Sequence, residues 1–355
     1  MKKNSLKLID RLSEFHNLET SEYKYLIENA DDAETVSYAA KKAVNLRKSI
    51  YGNKIYIRGL IEIGNVCKNN CLYCGIRGAN PNCDRYRLTE EEILSCCDEG
   101  YPLGFRTFVM QGGEDAYFSD EFMCSVISKI KAKYPDCAVT LSIGERSRES
   151  YEKLYKAGAD RFLLRHETAT KEHYEKLHPK EMSFENRMRC LYDLKDIGFQ
   201  VGCGFMVGSP YQTTEHLAAD LKFIEEFSPD MCGIGPFMPA KNTPFENFSA
   251  GSATLTCFLL SLIRLIKPSI LLPATTALAS VEEDGRTRGI LSGANVVMPN
   301  LSPAETRKKY NLYDNKKSFG SEAAESLELL RAQMSSIGYE VVVEKGDALR
   351  FLKKA

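Results

Sequence analysis

Eight β-branched, apolar runs, most of them followed by an amphipathic helical stretch and separated by short turns, predict an α/β fold. The fold expected is a (β/α)8 TIM-type barrel with an N-terminal helical extension and a C-terminal helical addition. A third observation agrees: the polar residues cluster at the C-terminal ends of the predicted strands, where barrel enzymes keep their chemistry. An open, doubly wound parallel sheet is the alternative that the same pattern allows.

The elements follow in order. Residues 1–50 carry apolar positions at three- and four-residue spacing in LIDRLSEF, SEYKYLIENA and SYAAKKAVNLRKSIY, and read as helices. KIYIRGLIEIG (54–64) is the first strand. Thr89 starts the next helix, with Glu92 three residues on completing a capping box. FRTFVMQ (105–111) precedes a helix around 120–133, and AVTLSIG (138–144) precedes RESYEKLYKAGA. RFLLRHE (161–167) leads through a polar helical stretch to SFENRMRCLYDLKDIG, and QVGCGFMVG (200–208) leads to TEHLAADLKFIEEF. MCGIGPF (231–237) precedes ATLTCFLLSLIRLI. ILLPATTA (270–277) precedes a short helical stretch ending near Ser292, and ANVVMPN (294–300) is the eighth strand. The expected division is 1–50 helical extension, 51–300 barrel and 301–355 C-terminal extension, the last with a helix in EAAESLELLRAQMSSIG and a short strand in YEVVVEK.

Composition narrows the function classes. A hydrophobic fraction of 43% suits a large core, and 47 Lys plus Arg against 48 Asp plus Glu leaves no basic field for nucleic acid. The first residues, MKKNSLKLIDRL, have no apolar signal core, and the most apolar stretch, 258–274, is broken by Arg264, Lys267 and Pro268. No membrane association is expected. Twelve cysteines without an export signal point to a reducing cytoplasm and to metal or redox chemistry.

Cys67, Cys71 and Cys74 in NVCKNNCLYCG have the spacing C-x₃-C-x₂-C, with Tyr73 before the last. Three thiolates on one short loop can hold three irons of a [4Fe–4S] cube, and no nearby cysteine at motif spacing offers a fourth ligand. An iron without a protein ligand can take a small molecule, as a catalytic metal site keeps a position open. A zinc site would ask for a second Cys or Cys/His pair, which is missing.

Other candidates sit at strand ends. Gly112, Gly113 and Glu114 follow the second strand, two glycines admitting close backbone approach beside a carboxylate that can accept from an ammonium group. Thr140 and Ser142 share a face of the third strand by alternation. Arg165 and Glu167 share a face of the fourth, so they either point together into the cavity or pair with each other. Arg187 either leans over the mouth, suited to fork onto a carboxylate, or is a solvated surface arginine. Thr275 and Thr276 place two hydroxyls in an apolar run. Cys203 and Cys232 lie on strands as core residues, and His166 reads as an oriented or core histidine rather than a base.

The cysteine triplet, its incomplete ligand set and Tyr73 resemble the radical S-adenosylmethionine (SAM) superfamily. Within it, the segments IEIGNVCKNNCLYCGIR, GEDAY, VTLSIGE, AGADRFLLRHETA, SFENR, MCGIGPFMP, TPFEN, LLPATTA and GANVVMPNLSP, spanning 51–313, resemble the HydE family of [FeFe]-hydrogenase maturases. Biotin synthase and methylornithine synthase (PylB) are near relatives. The resemblance implies that Cys67, Cys71 and Cys74 ligate a single [4Fe–4S] cluster whose open iron takes SAM. It puts Gly112, Gly113 and Glu114 against the amino end of SAM, Glu167 and Arg187 on SAM, and Tyr310 over it. Ser142, Arg165, Met231, Thr275 and Thr276 then line the cavity. The implied activity is reductive cleavage of SAM to a 5′-deoxyadenosyl radical, directed at sulfur of a cysteine-bound Fe(CO)2CN species. Implied partners are the maturases HydG and HydF and a reductant such as ferredoxin or flavodoxin. Some HydE proteins carry a second cluster on C-terminal cysteines. This chain has none after Cys257, its counterpart stretch reading YDNKKSFGSEAAES, so no second cluster is expected. A methylornithine-synthase-type mutase, biotin-synthase-like sulfur chemistry and a non-catalytic iron–sulfur and SAM scaffold stand as alternatives.

Overall fold

Three helices, Lys2–Phe15, Thr20–Glu28 and Ala33–Tyr51, precede the first strand in the computed structural model, which describes residues 2–313 and 323–352. The third begins where the Asp32 carboxylate accepts from the Thr35 N–H and packs its Ala39 and Ala43 face inward.

Six parallel strands follow as one ladder: Gly59–Gly64, Thr107–Gly112, Ala138–Ser142, Arg161–Leu163, Gln200–Cys203 and Met231–Cys232. Single bridges then close the ring, Met231 to Leu271, Pro273 to Val296 and Leu60 to Asn300. Tyr56 and Ile57 pair with Val296 and Val297 below that last bridge. The ring is therefore an eight-stranded barrel, and closure rules out the open doubly wound sheet. Helices on the outside cover it, among them Glu90–Gly100, whose Thr89–Glu92 capping box forms as the spacing predicts.

Several strands are shorter than their apolar runs. The runs at 200–208 and 231–237 each break at a glycine, and at Gly204 a Cβ would stand 2.1 Å from the Gly233 carbonyl oxygen. Beyond the break, Met206–Val207 pairs with Gly235–Pro236 as a separate two-stranded ribbon at the mouth. The run at 270–277 contributes only the bridges at Leu271 and Pro273 before the helix Thr276–Val281 begins.

The opposite end is sealed by the C-terminal segment. Glu340–Val342 pairs in parallel with Lys54–Tyr56, and the following residues cross the barrel floor. There the fully buried Arg161 donates to Thr107 Oγ1 (2.9 Å), the Lys345 carbonyl (2.9 Å), Asp347 Oδ1 (2.6 Å) and Gln200 Oε1 (3.3 Å). Cys203 and Cys232 are register partners, both buried among the apolar residues of the main core. Among the described residues no helix is long and apolar enough to cross a membrane. Of the stretch 313–326, in which no second cluster is expected, residues 314–322 lie outside the described residues.

Candidate active site

The barrel mouth encloses a cavity of about 370 Å³, a size suited to a small-molecule or cofactor site. Its walls come from every quarter of the ring: Cys67 and Cys74 from the cysteine loop, Gly112, Gly113 and Glu114 from the second strand, and Ser142 from the third. Arg165 and Glu167 follow the fourth strand, Arg187 comes from the next helix, and Thr275, Thr276 and Tyr310 complete the circle.

Two of the expected residues do not line it. The Cys71 thiol is 3.6 Å from the Met182 sulfur and is not part of the cavity lining. Met231 sits one layer down, its sulfur 2.8 Å from Nη1 of the buried Arg58, in a small core with Tyr51, Tyr56 and Leu271. Its strand is only two residues long and ends below the cavity, so its side chain packs in the barrel's lower layer.

The cysteine loop is held from several sides. The Lys68 N–H donates to the Glu114 carbonyl, and a Cβ on Gly113 would fall 2.2 Å from the Val66 carbonyl oxygen. The absent side chain of Gly113 thus lets the second strand press against the cysteine loop, not only against a ligand. The loop after the barrel folds over the other flank. Asn65 Nδ2 donates to the Lys309 carbonyl and the Gly75 N–H to the Leu312 carbonyl, which brings Tyr310 in, buried, beside Gln111. Tyr73 lines the cavity with its hydroxyl 3.2 Å from His178 Nε2. His178 Nδ1 faces the Tyr174 carbonyl, so Nδ1 carries the ring proton and Nε2 accepts from the tyrosine.

Burial pushes the Cys74 thiol up to about 12 and raises Cys67 and Cys71 as well, the last also through Cys74 beside it. Metal binding by this loop therefore displaces protons. Among the described residues no three His, Cys, Asp or Glu side chains converge on a single ion position. A cube asks for something different, three thiolates on three separate irons, and the spacing of the loop fits that demand.

The same cavity is lined by polar and ionic groups with unmet hydrogen bonds. Arg165 Nη2 stands 3.1 Å from Glu167 Oε2, yet neither atom, nor Arg165 Nε, has an aligned hydrogen-bond partner. Both sequence alternatives hold at once: the residues pair and they face the cavity. Thr275 Oγ1 and Thr140 Oγ1 are likewise buried without a partner. Glu167 is in the left-handed region at φ 66°, a conformation that costs a non-glycine residue about 1 kcal/mol or more. Unmet polar atoms and strained backbone at one cavity mark a site shaped for a polar ligand.

Arg187 is buried, not solvated. It donates through Nε to Glu145 Oε1 (2.6 Å) and through Nη1 to the Arg165 carbonyl (2.5 Å). Burial works against its charge, but Tyr174 and Glu145 alongside hold its pKa above the usual arginine value. Glu114 accepts the Glu145 N–H at 2.8 Å and faces Lys68 Nζ at 3.3 Å. One carboxylate escaped the sequence reading: Glu62, fully buried, lines the cavity and accepts from Asn300 Nδ2 at 2.9 Å. The signal was a lone acid in the apolar run IEIG.

Residues 61–224 match the radical SAM superfamily. The chain is 45% identical over 276 residues, 78% of each chain, to the [FeFe] hydrogenase maturase subunit HydE of Thermotoga maritima. It belongs to the HydE family of radical SAM enzymes. The 3-methylornithine synthase of Methanosarcina acetivorans is 28% identical over 79% of this chain and 78% of its own. In fold, this HydE-family chain superposes on the crystal structure of methylornithine synthase (PylB) with a TM-score of 0.82, covering 94% of this chain and 97% of the other at 24% identity. A radical SAM enzyme uses an iron–sulfur cluster with SAM, and the cavity described above presents both thiols and unsatisfied ionic groups.

Proposed function

We propose that this enzyme acts in maturation of [FeFe]-hydrogenase, as a HydE-type protein whose substrate is a cysteine-bound Fe(CO)2CN species. The observation that carries the reading is the 45% identity to the Thermotoga protein over 78% of both chains. In this reading Cys67, Cys71 and Cys74 hold one [4Fe–4S] cluster. Bound together, cluster and SAM supply a 5′-deoxyadenosyl radical by one-electron cleavage of the sulfonium.

The chain's own residues then position and protect. Glu114 with the Gly112–Gly113 backbone accepts the amino group of SAM, and Glu167 and Arg187 bind SAM, Arg187 through its carboxylate. Tyr310 covers that side. Arg165 offers positive charge and Thr275, Thr276 and Ser142 offer hydroxyls to an anionic, cyanide-bearing substrate deeper in the barrel. Met231 sets the layer beneath. The closed ring excludes water and oxidant from both a primary radical and an organometallic substrate. HydG as source, HydF as recipient and a ferredoxin or flavodoxin as reductant complete the reading, in the cytoplasm.

The test is anaerobic. After reconstitution with iron and sulfide, about four irons per chain, a [4Fe–4S]⁺ EPR signal that shifts with SAM and formation of 5′-deoxyadenosine are expected, with the iron–cysteine complex consumed and lysine inert. Lysine consumption would move the assignment to a mutase of the methylornithine type. An intact cluster with SAM bound but no nucleoside would leave only a scaffold.

A further inference from the structure

Behind the strained Glu167, on the side away from the cavity, lies a fully buried pair that the reaction does not touch, His166 and Asp220. Asp220 comes from the helix Thr214–Phe227 on the outside of the barrel. One of its oxygens, Oδ1, lies 3.2 Å from His166 Nε2 and accepts the Ala169 N–H at 2.6 Å. That single oxygen thus ties down the chain on both sides of residue 167. On its other edge, His166 Nδ1 accepts the Gly204 N–H at 3.3 Å, so the ring proton sits on Nε2 and is donated to Asp220. The Gly204 carbonyl in turn accepts the Glu167 N–H at 3.0 Å. Gly204 itself lies close against Gly233, with no room for a Cβ between them. Phe205 and Phe223 pack against the imidazole, with ring centroids 5.8 and 4.7 Å away. A carboxylate with one oxygen lacking a protein partner is an expensive thing to bury in a helix–sheet interface, and burial raises its pKa. A leucine would fill such a place at less cost.

We propose that His166 and Asp220 are positioning residues, a buried staple from the outer helix that holds residue 167 in the left-handed conformation and so aims the Glu167 carboxylate into the cavity. The inference rests on the reading that Glu167 binds SAM. Left-handed backbone at a glutamate reverts to a relaxed conformation unless neighbouring contacts overdetermine it, and the staple supplies those contacts from both flanks.

The experiment measures SAM affinity by equilibrium dialysis on the anaerobically reconstituted chain, with iron content and thermal midpoint recorded alongside. Asp220→Ala is expected to weaken SAM binding at least tenfold with iron content unchanged, while the 5′-deoxyadenosine rate at saturating SAM stays within about threefold. Asp220→Asn, which keeps the Oδ1 acceptor, should restore affinity to within about threefold of native. Should Asp220→Ala fail to fold, His166→Asn carries the same expectation, because its amide oxygen still accepts from Gly204 while it no longer reaches Asp220. The deciding arm is the double variant with Glu167→Gln. If the staple acts through Glu167, adding Asp220→Ala costs no further affinity. Equal losses in both backgrounds, or native affinity in Asp220→Ala, would overturn the staple and leave a packing role. If Glu167→Gln alone binds SAM as tightly as native, the assignment of Glu167 to SAM fails, and the staple with it.

Discussion

Arg161 at the floor of the barrel is fully buried and Arg165 at the mouth is half-buried, and their surroundings treat the two in opposite ways. At the floor, Arg161 reaches four acceptors, including the Asp347 carboxylate, all brought by the strands and the C-terminal segment. At the mouth, Arg165 has a carboxylate at 3.1 Å that is not aligned to accept, and two nitrogens without partners. The satisfied charge at the floor serves rigidity, whereas the unmet hydrogen bonds of Arg165, which lines the cavity, suit a polar ligand. Stability chemistry at the N-terminal face and reactive chemistry at the C-terminal face is the division that barrels generally show.

The largest effect that can break this contrast is expected at the floor. Arg161→Ala leaves the Asp347 carboxylate without its cationic partner, keeping only the Gln200 amide, and should cost about 3–5 kcal/mol in urea unfolding. Arg165→Ala should cost less than about 1 kcal/mol while reducing 5′-deoxyadenosine formation or substrate turnover by more than tenfold. Equal stability losses at the two positions would dissolve the contrast. A second measurement sharpens it through pH. Burial lowers His173 to about 4 and His178 to about 3, the latter beneath the cavity wall at Tyr73. Both are neutral when folded and protonate near 6.5 when unfolded. Their contribution is therefore complete above pH 6.5 and falls as pH drops toward 4. At pH 5 each accounts for about 2 kcal/mol of lost stability, and His178→Gln should flatten that slope without shifting stability at pH 8 by a comparable amount. The smallest effect is at Glu167. Glu167→Gly relieves the left-handed strain and should raise stability by about 1 kcal/mol while weakening SAM binding, the mouth giving up function where it gains stability.

Most of the ring was legible because apolar runs and their spacing are local properties. The cysteine loop was legible because its three cysteines lie within eight residues of sequence. Glu62 was not, since alternation treats an acid in IEIG as an outlier of an apolar strand, and only ring closure turns it inward. The conformation of Glu167 depends on Asp220, fifty-three residues away, and leaves no trace in composition. Arg187 could be placed on a helix but not buried, because Glu145 and the Arg165 carbonyl reach it only in three dimensions. The break at Gly204 is imposed from the neighbouring strand, where the Gly233 carbonyl leaves no room for a Cβ, and the run 200–208 alone does not predict it.

The strand Glu340–Val342 has a consequence for how the molecule comes to exist. Its register partner for Glu340 is Lys54, so this pairing joins the two ends of nearly the whole chain. Contacts of such sequence separation form late, since the entropy of closing so long a loop is recovered only once the intervening units are in place. A ribosome-bound chain that has made all eight ring strands still lacks the piece that seals them underneath. Arg161 stays short of its Lys345 and Asp347 acceptors until the final residues emerge. Assembly of this enzyme thus finishes from below, with the floor laid after the walls.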